Sequence, residues 1–444
     1  MSVNSQDTRR ENRPNVVLLT AHDLGQHLGC YGIETVKTPN IDALAAEGLR
    51  FENAYSTSPV CSPARGSLLT GRYPQSNGLM GLTHAPWWWE IDDSEAMLPE
   101  ILAEHGYETH LSGLQHVASD PERMGFQHTH SRELDAEETT AAASELFRNV
   151  TDDQPFYAQV GFFEVHRDFD QGTHSENGVY VPPYLEETDE IRDDFAAFQA
   201  SVNYFDDRVG DVLRALESAG LREETIVILA ADHGIPHPGA KWTCRRPGIE
   251  IALLMDGPGP VFSGRNRVDE VISSVDVLPT LLDVLDVPIS SRIEGHSFRQ
   301  FLAGETESPP REAAFAQFTE HMKRDNESRC IITRENHLIR YFDQGRTVKY
   351  PVGTDPQAFA DHVERMSTER EPRPFAQLYD VREDPYELEN LGASSKHKQL
   401  VTDLSRRLLR WMVSVDDPLL EGRVRHPYYE QAIDDLLTSS TDPE

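Results

Sequence analysis

Four short apolar runs, each closed by polar or titratable residues, set the rhythm of this chain. Asn15-Val-Val-Leu-Leu-Thr20 is apolar without alternation, as strands covered on both faces of a parallel sheet are. Similar runs recur at residues 107–112, 156–163 and 225–230. The second follows the helix-like Leu98-Pro-Glu-Ile-Leu-Ala-Glu-His105, and the third and fourth follow amphipathic helical stretches. This alternation predicts an α/β fold with a mostly parallel central sheet flanked by helices. Residues 272–285 carry the apolar spacing of one more packed helix.

The acidic, Pro-rich stretch Gly304-Glu-Thr-Glu-Ser-Pro-Pro-Arg311 reads as a linker, and residues 330–342 suggest two strands about a turn at Glu335-Asn336. The expected organisation is a disordered tail at 1–13, a main domain at 14–310, and a smaller α+β subdomain with antiparallel strands and a helix at 311–444. Each of the four runs is followed closely by chemistry: His22-Asp23, His116, His166 and Asp232-His233. Ligands of open α/β sheets bind beyond the carboxyl ends of the strands, so a single topology would gather all four clusters.

Charge narrows the partners. Against 75 acidic residues stand 41 basic ones, a net −34, which repels nucleic acid and acidic membranes. Molar salt shortens the screening length to about 3 Å, so a salt-loving source is the expectation, with an acidic mesophilic protein as the alternative. No apolar run approaches the roughly 18 residues that cross a bilayer. Cys30, Cys61, Cys244 and Cys330 are far apart, which argues against a disulfide framework or a cysteine zinc site and for a reducing, cytoplasmic setting. Arg9-Arg10 is followed only by Val16-Val-Leu-Leu19, too short for an export signal.

Cys61-Ser-Pro-Ala-Arg65 is the most informative stretch, because this composition yields C-x-P-x-R by chance in about 2 per cent of chains. Pro63 has its φ pre-set for a first helical turn, and Gly66-Ser-Leu-Leu-Thr70 continues toward Gly71, placing Cys61 at a helix N-terminus. Unpaired N–H groups there attract anions. On the pentapeptide alone, a buried cysteine before an ordinary helix is an equal reading.

The pentapeptide resembles the signature of the type I, formylglycine-dependent sulfatases. The flanks resemble that family too: Thr38-Pro-Asn-Ile-Asp-Ala-Leu-Ala-Ala-Glu-Gly-Leu-Arg-Phe-Glu-Asn-Ala-Tyr55, Leu68-Leu-Thr-Gly-Arg-Tyr-Pro74, Asp232-His-Gly-Ile-Pro236 and Gln377-Leu-Tyr-Asp-Val-Arg-Glu-Asp-Pro-Tyr386. The motif order, with Gly25-Gln-His-Leu-Gly-Cys-Tyr-Gly32, resembles most the N-sulfoglucosamine sulfohydrolase branch. This resemblance implies an alkaline-phosphatase-like sulfatase fold and metal-dependent hydrolysis of an organic sulfate ester or sulfamate, of a sugar. It implies that a maturation enzyme oxidises Cys61 to formylglycine, whose hydrated aldehyde supplies the nucleophile. Asp23, Asp232, His233 and the Cys61 side chain would hold one divalent metal, with His22 as a further candidate. Arg65 would hold the nucleophile side and Lys241 the sulfate. His166 would protonate the leaving group, and His116 would deprotonate the second hydroxyl of the hydrated aldehyde. The implied partners are a sulfated small molecule or glycan and the maturation enzyme, with neither nucleic acid nor membrane.

Two residues depart from the family pattern. His22 stands where paired aspartates are usual; calcium follows from the resemblance, whereas imidazole favours manganese or another transition metal. Leu114 stands where a lysine is usual, leaving Arg167, Arg245 or Arg246 as substitute cations. The altered set keeps two alternatives open: a phosphodiester or phosphonate monoester hydrolase, and a non-catalytic sulfated-glycan-binding protein. Trp87-Trp-Trp89 offers either an aromatic face for a sugar or a packing anchor.

Overall fold

The computed structural model describes residues 13–84, 86–131, 134–151, 154–320, 327–343 and 373–439. The expected disordered tail lies outside these apart from Arg13, which donates to the His105 carbonyl (2.7 Å). The main sheet has eight strands: β1 (Asn15–Ala21), β2 (Leu49–Tyr55), β3 (Glu108–Gly113), β4 (His128–Ser131), β5 (Phe156–Gly161), β6 (Thr225–Ala231), β7 (Leu253–Asp256) and β8 (Arg267–Ser273). Their order is β4-β3-β5-β1-β6-β7-β2-β8. All pairs are parallel except those of β7, which runs against both β6 and β2. The four apolar runs are β1, β3, β5 and β6. All seven residues of β1, between β5 and β6, are buried, which is why that run needs no polar face.

Helices cover this sheet: α1 (Pro39–Glu47), α2 (Cys61–Thr70), α3 (Pro74–Asn77), α4 (Leu98–Glu104), α5 (Ala136–Asn149) and α6 (Asp189–Ser218). The α5 and α6 N-termini are capped by Asp135 and Thr188, whose side chains accept from the backbone of Glu138 and Ile191. Residues 272–285 are not one helix. Ile272 and Ser273 end β8, a capping box between Ser273 and Asp276 closes a single tight turn, and the helix spans only Val277–Val284.

A separate antiparallel sheet contains β9 (Ala313–Phe318), β10 (Ser328–Thr333), β11 (Asn336–Tyr341) and β12 (Ala376–Asp380). The helix Lys398–Ser414 packs on it through Leu404, Leu408, Trp411 and Met412, an i, i+4, i+7, i+8 stripe. Behind the stripe, the buried pair Arg329–Asp417 is bidentate (2.6 and 2.9 Å). The two sheets share a core: Tyr55, Val60, Cys61 and Trp242 pack with Ala316, Phe318 and Cys330. Gln317 also donates its backbone N–H to the Thr57 carbonyl (2.8 Å). The small sheet is therefore a wall behind the start of α2. No helix among the described residues is long and apolar enough to cross a membrane.

Candidate active site

The carboxyl ends of β1, β3, β5 and β6 open onto one pocket, and the tip of α2 delivers Cys61 into it. Asp23 (φ 57°) and His116 (φ 55°) both take the left-handed conformation just beyond their strands. That conformation costs a non-glycine residue about 1–2 kcal/mol. It turns the Asp23 N–H onto Asp232 Oδ1 (2.9 Å), tying the ends of β1 and β6 together.

Asp232 Oδ1 also accepts from the His233 N–H (2.8 Å), and its Oδ2 from Arg65 Nε (3.0 Å). Arg65 sends its remaining donors to Thr20 Oγ1 and the Ala21 carbonyl (both 3.2 Å), so one buried guanidinium fastens α2 to β1 and to the β6 loop. Lys241, in the loop after β6, donates to Asp23 Oδ2 (2.6 Å). His233 Nε2 lies 3.0 Å from Asp23 Oδ1 and 3.3 Å from Cys61 Sγ, and that sulfur is 4.0 Å from Asp23 Oδ1.

Burial opposes the charges of Asp23, His233 and Lys241, and their partners decide the outcome. The Asp23 carboxyl, which burial alone would raise, is held well below its usual range by Lys241, His166 and His233. His233 is raised to about 10, against burial, by Asp232, Asp23 and Cys61. Lys241 rises for the same reason, chiefly through Asp23. His22 and His116 go the other way: burial holds both well below the usual imidazole range, so they are neutral.

The neutral His22 is anchored by its backbone, which exchanges hydrogen bonds with Glu164 and Val165 (3.0 and 2.8 Å). Both of its buried ring nitrogens are without a hydrogen-bond partner. Its Nε2 lies 3.5 Å from Asp232 Oδ2 and 3.8 Å from Asp23 Oδ1. An orphaned imidazole facing two carboxylate oxygens has the chemistry of a cation site. Ligand atoms of His22, Asp23, Cys61 and Asp232 all lie within 4.8 Å of one another, so these residues fit a metal ion; His22, Cys61 and His116 form a second such group. His233 stands alongside, its Nδ1 2.9 Å from the Gly234 carbonyl.

His166 stands partly exposed at the mouth, with Nε2 3.8 Å from Asp23 Oδ2 and Nδ1 on the Arg167 carbonyl. His116 stacks on the exposed His84 (centroids 5.1 Å, 9°). Sequence reasoning missed His84, which ends no strand and belongs to no pattern. The three arginines proposed to replace a lysine near Leu114 are committed elsewhere. Arg167 is bidentate on Asp194, Arg245 donates to the Tyr386 and Glu387 carbonyls, and Arg246 pairs with Glu250. Of the tryptophans, Trp89 is the anchor, buried with Nε1 donating to Glu320 (3.0 Å). Trp88 is half exposed, and Trp87 packs edge-on against His84 (5.0 Å).

The architecture is that of hydrolases built on the alkaline-phosphatase-like fold. Residues 14–287 match the family model described as "Sulfatase", and residues 241–371 match the one described as "N-sulphoglucosamine sulphohydrolase, C-terminal". The chain belongs to the sulfatase family and is a sulfuric ester or sulfamate hydrolase. It is 28% identical to the N-sulphoglucosamine sulphohydrolase of Homo sapiens, covering 91% of each chain. It is 26% identical to an ulvan-active sulfatase of Formosa agariphila, covering 91% of this chain and 76% of that one. Among solved structures, yidJ of Bacteroides fragilis superposes with a TM-score of 0.75 at 20% identity, covering 96% of this chain and 100% of that one. A structure described as in complex with its substrate D-glucosamine-2-N,6-O-disulfate gives 0.71 at 18% identity, covering 91% and 99%.

Proposed function

We propose that this protein removes sulfate from a sugar, as ester or sulfamate, with a formylglycine made from Cys61 as its nucleophile. The observation that carries this reading is the seat of Cys61: a helix-tip thiol 3.3 Å from His233 and 4.0 Å from Asp23, beside an orphaned imidazole. The human N-sulphoglucosamine sulphohydrolase and the glucosamine disulfate complex support a sulfated amino sugar as the substrate class. A divalent metal held by His22, Asp23, Asp232 and the matured residue 61, with His233 beside it, would polarise the sulfate and lower the pKa of the attacking hydroxyl. Calcium follows from the family and manganese from the His22 imidazole.

The chain's own groups then divide the work. Arg65 holds Asp232 and the base of α2 in one position. Lys241 places its ammonium beside Asp23, where it meets the oxygens of an entering sulfate. His166, at the mouth, gains basicity as that anion arrives and hands a proton to the leaving oxygen or nitrogen. Neutral His116 has a buried Nδ1 without a hydrogen-bond partner, ready to take a proton from the residue-61 side. Residues 14–310 serve as the catalytic domain and 311–444 as the subdomain that backs it.

Co-expression with a formylglycine-generating enzyme, with the mass of the residue-61 peptide measured, tests the reading. Matured protein should cleave glucosamine N-sulfate or an aryl sulfate faster than a matched phosphodiester, and Cys61→Ala should abolish turnover. Matured protein that cleaves neither ester nor sulfamate with calcium or manganese would overturn it.

A further inference from the structure

One carboxylate outside the pocket holds two loops at once, the loop that carries His166 and the loop that carries Lys241. Asp194 lies in the second turn of α6 and is largely buried. Its Oδ1 accepts from Arg167 Nη1 (2.6 Å) and its Oδ2 from Arg167 Nη2. Oδ2 also lies 3.0 Å from His237 Nε2. Against burial, Arg167 and His237 hold the Asp194 carboxyl well below its usual range, so it is ionised and only accepts.

Arg167 carries the link to the proton donor. Its buried guanidinium lies 4.4 Å over the Phe169 ring, and its Nε donates to the Pro236 carbonyl (3.0 Å), so every side of the fork is held. The backbone carbonyl of the same residue accepts from His166 Nδ1. A carbonyl cannot donate, so Nδ1 keeps its hydrogen and Nε2 is the nitrogen left to exchange a proton. That nitrogen faces the pocket, 3.8 Å from Asp23 Oδ2.

His237 carries the second link. Its ring lies flat on Phe195, the neighbour of Asp194 in α6 (4.0 Å, 15°). It belongs to the turn that presents Lys241: the His237 and Lys241 N–H groups both donate to the Ile235 carbonyl (2.9 and 3.2 Å), and Ala240 N–H donates to the His237 carbonyl (3.1 Å).

We propose that Asp194 is a positioning residue of the sulfatase reaction, aiming His166 Nε2 at the leaving atom through Arg167 and fixing the Lys241 turn through His237. This rests on the roles given above to His166 as proton donor and Lys241 as sulfate holder. As sulfur bonds to the residue-61 oxygen and its bond to the leaving oxygen or nitrogen breaks, the electron pair stays on the leaving atom. That atom takes the proton of His166 Nε2, and the ring is left neutral. An acidic phenol departs without that proton, whereas a basic phenol or an amine needs it, so a misaimed His166 costs most where the leaving group is most basic.

The test uses matured protein and kcat/KM on substituted phenyl sulfates, from p-nitrophenyl to p-methoxyphenyl, and on glucosamine N-sulfate. Asp194→Asn keeps the shape but removes the charge. It should lose about 10–100-fold more on p-methoxyphenyl sulfate and glucosamine N-sulfate than on p-nitrophenyl sulfate, the scale of a misplacement near 1 Å. Arg167→Lys, which loses the fork, should show the same steepened dependence, and Asp194→Glu, which keeps the charge, should recover part of it. A loss uniform across the leaving groups in both Asp194→Asn and Arg167→Lys, as a merely structural role gives, would overturn the proposal, and so would parent-like kinetics. A parent inert on every substrate would instead sink the reading on which the proposal rests.

Discussion

Arg65→Met tests whether the site is held together by a buried charge. Methionine keeps an apolar stem but leaves Asp232, buried at 4% exposure, without the guanidinium now 3.0 Å from its Oδ2. The Thr20 hydroxyl and Ala21 carbonyl lose their donors as well. Removing one partner of a buried pair costs about 3–5 kcal/mol. With an unfolding entropy of about 2.1 cal/mol/K per residue over 444 residues, that is a fall of about 3–5 °C in Tm. Scanning calorimetry in chelator should show it. Saturating calcium or manganese would give Asp232 a replacement counter-charge if held by it and Asp23, and should narrow the deficit. Arg65→Lys keeps a charge but serves fewer acceptors and should fall between parent and methionine. A methionine variant within about 1 °C of the parent in chelator would refute the reasoning, as would a deficit that metal leaves unchanged.

Gly161→Ala should separate the ends of β3 and β5, since a Cβ there would meet the Leu114 carbonyl oxygen at 1.8 Å and its carbon at 2.8 Å. Leu114 leads directly to His116, so kcat/KM should fall about 100-fold, the cost of a misplacement near 1 Å, and parent-like kinetics would count against this strut. Burial, then Asp135 and Asp170, raises Glu164 from 4.5 to about 7. The folded state therefore holds the extra proton, and stability falls as pH rises from 4.5 through 7. Glu164→Gln should remove that fall. After discounting for partial solvent access, it should gain about 1–2 kcal/mol over the parent at pH 8 and little below pH 4.5, read from urea midpoints across pH.

How far such features were legible depends on their range in the chain. The four site strands could be read because a strand buried on both faces must be apolar throughout, and the strand-end rule then located His22-Asp23, His116, His166 and Asp232-His233. Polar β4, on the open edge, carries no such run, and the apolar stretch at β7 is only four residues long as a strand, too short for periodicity to tell strand from buried helix. Residues 272–285 misled because the end of β8 and the helix after it are both apolar; Ser273 and Asp276, three apart, were the boundary signal. Arg65 lies on α2, four residues after Cys61, but its partner Asp232 is 167 residues away and could not be read from the sequence. The commitment of Arg167 to Asp194 on α6 was equally hidden.

These long-range pairings also resolve how so acidic a chain can receive a sulfate. At −34 the surface opposes an approaching anion, and at physiological ionic strength that opposition fades over about 8 Å. Within the pocket the balance reverses: Arg65, Lys241 and protonated His233 outnumber Asp23 and Asp232. A dication held by these carboxylates would add further positive charge. Because Asp194 and Glu250 hold Arg167 and Arg246 elsewhere, this positive charge is confined to the oxygens beside residue 61. On the proposed function, recognition therefore rests on contact with Arg65 and Lys241 inside the pocket rather than on attraction from a distance, and these fixed cations would offset the lysine absent at Leu114.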